Sequence, residues 1–175
     1  MQTFVPLPSF AASALVLDRR RLGKQRVEAT QLLMVLLDIP TLNGEKSKGG
    51  WQNHPAALMW KGHERALSAY LLVVCKEWQR RGFSDGLGVG ASILLGLTSP
   101  AAALGSELSS VQRIGRWAAD RGPLPSTGHP AWWGDSALHA SHRSNLIRKD
   151  PIHYGQWGWS EPADLPYVWP TLKSA

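Results

Sequence analysis

The sequence predicts a mainly α fold, a compact single-domain helical bundle over residues 1–175 with long loops and an aromatic, proline-rich C-terminal wrap. Three observations carry this. Apolar residues recur at three- and four-residue spacing over two long stretches, the signature of one buried helical face. No stretch shows the apolar–polar alternation of a half-buried strand. Helix-capping residues stand immediately before the periodic segments.

The opening MQTFVPLPSF is broken by Pro6 and Pro8 and is expected to run extended. Ser9 then caps a short helix through Ala11 to Leu17, and Asp18 is a second start signal. From Arg19 to Leu37 a buried stripe is set by Leu22, Ala29, Leu32, Leu33 and Leu36. Ile39-Pro40 ends that helix, and residues 39–53 form a basic, glycine-rich loop with no apolar period. A single long amphipathic helix is expected from His54 or Pro55 to Arg81, with Leu58, Leu67, Tyr70, Leu71, Val74 and Trp78 on one face and Gly82 as its stop. Residues 84–122, interrupted by Gly86, Gly88, Gly90, Gly96 and Pro100, read as helical fragments in an insertion of unassigned role. Asp135 caps a last helix, SALHASHRSNLIRK, which stops at Asp150-Pro151. Residues 150–175 carry Trp157, Trp159 and Trp169 without a period and are expected to wrap back over the helices.

Composition narrows the function. Nineteen Lys+Arg against thirteen Asp+Glu give a net charge of +6, the balance of a protein that meets phosphates or another anionic surface. One cysteine, Cys75, leaves no intrachain disulfide and suits a reducing cytoplasm. No apolar run approaches the roughly 18 residues of a membrane span, and no basic-then-apolar leader opens the chain. The expectation is a cytoplasmic monomer without membrane attachment.

On a helical wheel Arg21, Lys24, Glu28 and Gln31 follow the edge of the apolar stripe that Leu22 begins. Arg19, Arg20, Arg21, Lys24 and Arg26 place five cations in eight residues, with a second basic cluster at Arg143, Arg148 and Lys149. A solvated helix face with a Lys24–Glu28 ion pair is one reading. A phosphate-binding ridge around one acid is the other. His54, in Gly49-Gly50-Trp51-Gln52-Asn53-His54-Pro55, either caps the helix that follows or presents a polar ring to a ligand. His139, His142 and His153 have no carboxylate or thiol at matching spacing, so no metal is assigned. Cys75 lies in the apolar run YLLVVC and reads as an inert core thiol. No glycine-rich phosphate loop follows a strand, and no cofactor is expected.

Several segments, in order, resemble one family. They are Leu22-Gly23-Lys24-Gln25-Arg26-Val27-Glu28; Asn53-His54-Pro55; Cys75-Lys76-Glu77-Trp78-Gln79-Arg80-Arg81-Gly82-Phe83; and Ser141-His142-Arg143-Ser144-Asn145-Leu146-Ile147-Arg148-Lys149, leading to Pro151 and Tyr154. The chain is similar through them to the pyrimidine-dimer DNA glycosylases of the phage endonuclease V type. The resemblance implies a helical enzyme that binds duplex DNA carrying a damaged or modified base, cleaves the glycosidic bond and can nick the strand at the abasic sugar. It implies a chain-terminal amine that attacks the sugar C1′ and one essential glutamate, to which Glu28 corresponds. Arg148 and Lys149 correspond to basic residues that grip phosphate, and Arg80-Arg81 with Gly82-Phe83 to a structural corner.

The residue types suit that chemistry on their own. An α-amine with pKa near ~7.7–8.0 is roughly 10–20% free base at neutral pH, whereas an unperturbed lysine is below about 0.1%. A carboxylate beside the sugar stabilises the cationic centre as the base leaves and then moves protons. The nucleophile stays open between the Met1 amine, the amine of Gln2 and Lys24, because Gln2 stands where the phage enzyme exposes a threonine. The DNA-contacting set is Arg19, Arg20, Arg21, Arg26, His54, Arg143, Asn145, Arg148 and Lys149, with Trp132 and Trp133 as stacking candidates. The competing reading is a non-catalytic DNA- or RNA-binding protein that uses the same basic helices. A third is a helical interaction protein whose Trp-rich tail docks a partner.

Overall fold

The structure, a computed structural model, describes residues 2–40, 44 and 51–170. The described residues form eight α-helices and one 3-10 turn, with no strand. In chain order they are α1 (Phe10–Val16), α2 (Arg19–Leu36), α3 (Pro55–Trp60), α4 (Glu64–Arg80), α5 (Leu87–Leu94), the 3-10 turn Pro100–Ala103, α6 (Ser109–Arg121), α7 (Ser136–Lys149) and α8 (Pro151–Gly155).

The capping chemistry read in the sequence sets the starts of three of these helices. The Ser9 hydroxyl accepts from the Ala12 N–H, the Asp18 carboxylate from Arg21, and the Asp135 carboxylate from Ala137 and Leu138. Asp18 does more than cap. It accepts the Tyr154 hydroxyl of α8 at 2.5 Å and the Arg21 guanidinium at 2.8 Å, tying the start of α2 to α8. Burial works to raise the Asp18 pKa, but these hydrogen bonds outweigh it and hold the carboxyl below its ordinary 3.8. A carboxyl depressed in the folded state adds stability above its unfolded pKa and loses it as pH falls through the folded value. Asp18→Asn is therefore expected to cost about 1–3 kcal/mol at neutral pH. The gap to wild type should close as the pH drops from about 4 through the lowered value, as followed by urea unfolding at a series of pH values.

The long helix expected over 54–81 is two helices. Lys61-Gly62-His63 breaks it, because Gly62 adopts φ +80°, a left-handed conformation that glycine takes without strain. The Glu64 carboxylate accepts the Gly62 N–H at 2.9 Å and fixes the new start. α2 lies along α4, which also carries α1 and α5, and α6 closes over α5 and the 3-10 turn. Gly23 is where α2 meets Trp78, since a Cβ there would stand 3.1 Å from the indole. The core holds Leu22, Leu32 and Leu33 of α2 with Leu67, Tyr70, Leu71 and Val74 of α4, all fully buried. The expected fragments of 84–122 are α5, the 3-10 turn and α6. Cys75 is buried, and loss of solvation pushes its thiol pKa up, in keeping with an inert role.

The tail does wrap back over the helices, with the short helix α8 at its start. The Val168 N–H donates to the Ser141 hydroxyl, the Leu165 N–H to the Ser144 hydroxyl, and Arg143 pairs with Glu161. Of the loop 39–53, Ile39 is core and Trp51 is exposed. Residues 41–43 and 45–50 lie outside the described residues, as do 171–175 and Met1.

Candidate active site

The first residues run extended and pair with no sheet. From Gln2 to Pro6 most backbone polar groups are met by side chains rather than by another backbone. The Gln2 N–H donates to Glu28 Oε2 at 3.2 Å, and the Gln2 carbonyl accepts from Gln25 Nε2 at 3.0 Å. The Phe4 N–H donates to Gln25 Oε1 at 2.7 Å, and the Tyr70 hydroxyl lies 2.8 Å from that oxygen and 3.0 Å from the Phe4 carbonyl. The Trp60 indole N–H donates to the Thr3 hydroxyl at 2.8 Å. From α7, His142 takes the Val5 N–H, His139 meets the Val5 carbonyl and Arg143 meets the Pro6 carbonyl. Unmet backbone groups in the interior would each cost about 1–3 kcal/mol, so this set of side chains determines where the chain begins.

Residue 2 rests on a carboxylate. Glu28 lies in α2, its side chain 13% exposed and 3.9 Å from the Lys24 ammonium. A cleft of about 280 Å³ opens over it. Gln2, Phe4 and Gln25 line one side, Arg20, Arg21 and Lys24 another, and Lys149 and Tyr167 close it. The cleft thus combines one acid with four cationic side chains from both basic helices. Burial lowers the Lys149 pKa, and the positive charges of Arg21, Arg148 and Lys24 lower it further against the pull of Glu28. Burial likewise raises the Tyr167 hydroxyl above its usual value.

An open groove adjoins it, lined by Asp18, Arg19, Arg20, Gly23 and Trp78, with Arg20 shared between the two. Arg19 lies over the Phe83 ring, which stacks on Trp78. A larger apolar cleft of about 410 Å³ lies between the 3-10 turn and α6. No carboxylate is among its lining residues. Among the described residues no three His, Cys, Asp or Glu side chains are grouped as a metal ion would require.

The structure brings Gln2, Arg20, Arg21, Lys24, Glu28 and Lys149 together, and leaves Arg19 and Arg148 exposed on the same basic helices. Three of the expected DNA contacts have partners inside the protein. Arg26 points into the protein, where it forms a buried ion pair with Asp85 and covers the Trp78 ring. Asn145 is fully buried and donates to the Ser141 and Leu165 carbonyls. Arg143 is taken up by Glu161 and the Pro6 carbonyl. Each has an internal partner because burying a cation or amide alone would be costly. His54 caps α3 through Nδ1, which accepts the Ala56 N–H, and its ring sits between Trp51 and Trp169. Burial lowers its pKa despite the opposing effect of Glu28. Trp132 is core, its indole N–H given to the Met59 carbonyl, and Trp133 packs on Phe10 and His129. The aromatic residues in the cleft are instead Phe4 and Tyr167. Sequence reasoning also missed Gln25, Tyr70 and His142, whose partners lie 21 to 140 positions away.

The described residues thus form a helical domain with one carboxylate seated in a basic cleft. The family model for pyrimidine dimer DNA glycosylases matches residues 1–88, half of the chain, and the chain belongs to that family. No curated protein and no solved structure matches it. The family is one of DNA glycosylases, so the substrate is DNA. The match spans the extended first segment, α2 with Glu28, and α3 and α4, whereas α7, Lys149 and Tyr167 lie beyond it. No described helix is long and apolar enough to cross a membrane.

Proposed function

We propose that the chain excises pyrimidine-dimer bases from duplex DNA by amine attack on the sugar, with Glu28 as the catalytic carboxylate and the amine at the head of the chain as nucleophile. The observation that carries this reading is the Gln2 backbone nitrogen, 3.2 Å from Glu28 Oε2 inside the basic cleft. Arg20, Arg21, Lys24 and Lys149 supply the phosphate contacts, which add affinity without base selection. Arg19 and Arg148 extend that surface. The target nucleotide leaves the stack and enters the cleft, with Tyr167 as the flat surface it meets.

In the first step the amine bonds to C1′ as the glycosidic bond breaks, and the departing base keeps the electron pair and takes up a proton. The negative charge of Glu28 stabilises the cationic sugar and accepts the proton that the amine sheds. Returning a proton to O4′ opens the ring to the imine. Removal of a C2′ proton then expels the 3′ phosphate and nicks the strand. Lys24 is the competing nitrogen, but its side chain is 70% exposed and stands 3.9 Å from Glu28, farther than the Gln2 nitrogen.

Incubation with abasic-site duplex in borohydride, followed by proteolysis and mass spectrometry, is expected to place the adduct on the N-terminal peptide. Attachment to the Lys24 peptide overturns the nucleophile assignment. No adduct together with no alkali-labile break in ultraviolet-irradiated duplex overturns the enzymatic reading in favour of simple nucleic-acid binding.

A further inference from the structure

His142 is fully buried at the middle of α7. Both of its nitrogens face the first segment. Nδ1 accepts the Val5 N–H at 2.9 Å, so that nitrogen carries no proton. Burial, with His139 beside it, depresses the His142 pKa to about 3, so the ring is neutral at physiological pH and its one proton sits on Nε2.

Nε2 stands 3.1 Å from the Gln2 carboxamide. An N–H must face an acceptor there, which identifies the amide atom opposite it as the oxygen. His142 therefore grips residue 2 by its side chain and residue 5 by its backbone, while Glu28 holds the backbone nitrogen of residue 2. His139 adds its Nδ1–H to the Val5 carbonyl at 2.6 Å.

We infer that His142 is a positioning residue for the reaction: held by its own helix, it sets the register of the first segment so that the head of the chain lies on Glu28. The inference rests on the amine reading above. It assigns a role to the part of the chain beyond the family match, because the residues that align the segment from this side all belong to α7. Side-chain bonds to one extended segment resist sliding only if both ends are held, and the Val5 and Gln2 contacts are those two ends.

Two variants separate positioning from mere packing. Asparagine in His142→Asn keeps an acceptor where Nδ1 stood and so retains the Val5 bond, but it is too short to reach Gln2. Gln2→Leu removes the same contact from the other side without entering the core. Each is expected to slow single-turnover adduct formation on abasic-site duplex about ten- to hundred-fold, the scale of an ångström-level misplacement. Dissociation constants measured by anisotropy should stay within about two-fold, and the double variant should be no slower than the slower single one. A rate retained in either variant, an equal loss of DNA affinity, or losses that multiply in the double variant overturns the inference while wild type still traps. A wild-type chain that forms no adduct overturns the amine reading, and this inference with it.

Discussion

Glu28→Gln is expected to lower base release and strand nicking by about 10²–10⁴-fold, the range for removing a positioned proton-transfer group. Glutamine preserves the shape of the side chain and still offers an oxygen to the Gln2 N–H, so the first segment keeps its place. What disappears is the charge that stabilises the cationic sugar and the base that takes the amine's proton. Affinity for duplex DNA should hold or rise, because one negative charge leaves a cleft lined by Arg20, Arg21, Lys24 and Lys149. Single-turnover assays beside anisotropy titrations at fixed salt check both parts. Wild-type turnover in Glu28→Gln would remove the carboxylate from the mechanism.

Asp85→Ala is expected to have the largest effect on stability, about 3–5 kcal/mol, because it leaves a buried guanidinium without its counter-ion. The Arg26 and Asp85 side chains are 13% and 2% exposed, and Arg26 Nε donates to Asp85 at 2.7 Å. Asp85 also accepts the Gly88 N–H at 2.8 Å near the start of α5, so the same change loosens that helix. Urea unfolding of the variant should show the loss, with the DNA affinity of the folded fraction little altered, since Arg26 faces the core. A shift below about 1 kcal/mol would mean that water or a neighbouring group satisfies Arg26.

The ease of reading each feature in the sequence follows from the range of its interactions. The starts of α1, α2 and α7 were legible because a cap and its helix lie within three residues of each other. The stripe of Leu22, Ala29, Leu32 and Leu33 was legible because a helix has a fixed period. The break at Gly62 was not. Leu58 and Leu67 keep the apolar pattern running across it, and only the backbone angle of Gly62 separates α3 from α4. In the site, Glu28 and Lys24 could be found because they share one helix, and Lys149 through its basic cluster. Gln25 gave no such signal, being a polar residue inside a cationic run whose purpose emerges only when Phe4 and Gln2 come to it. Arg26, Arg143 and Asn145 show the converse: charge and polarity in a sequence carry no direction, and each has an internal partner.

Helical class, capped starts, the excess of positive charge and the single acid among cations were properties of the linear chain, because each arises from residue type at short spacing. Tertiary structure alone decided which cations face the cleft and which are neutralised within. It also decided that residue 2 meets residue 28, and that His142 turns both nitrogens onto the first segment. Those outcomes depend on burial, which forces every polar group that loses water to find a partner, wherever along the chain that partner lies.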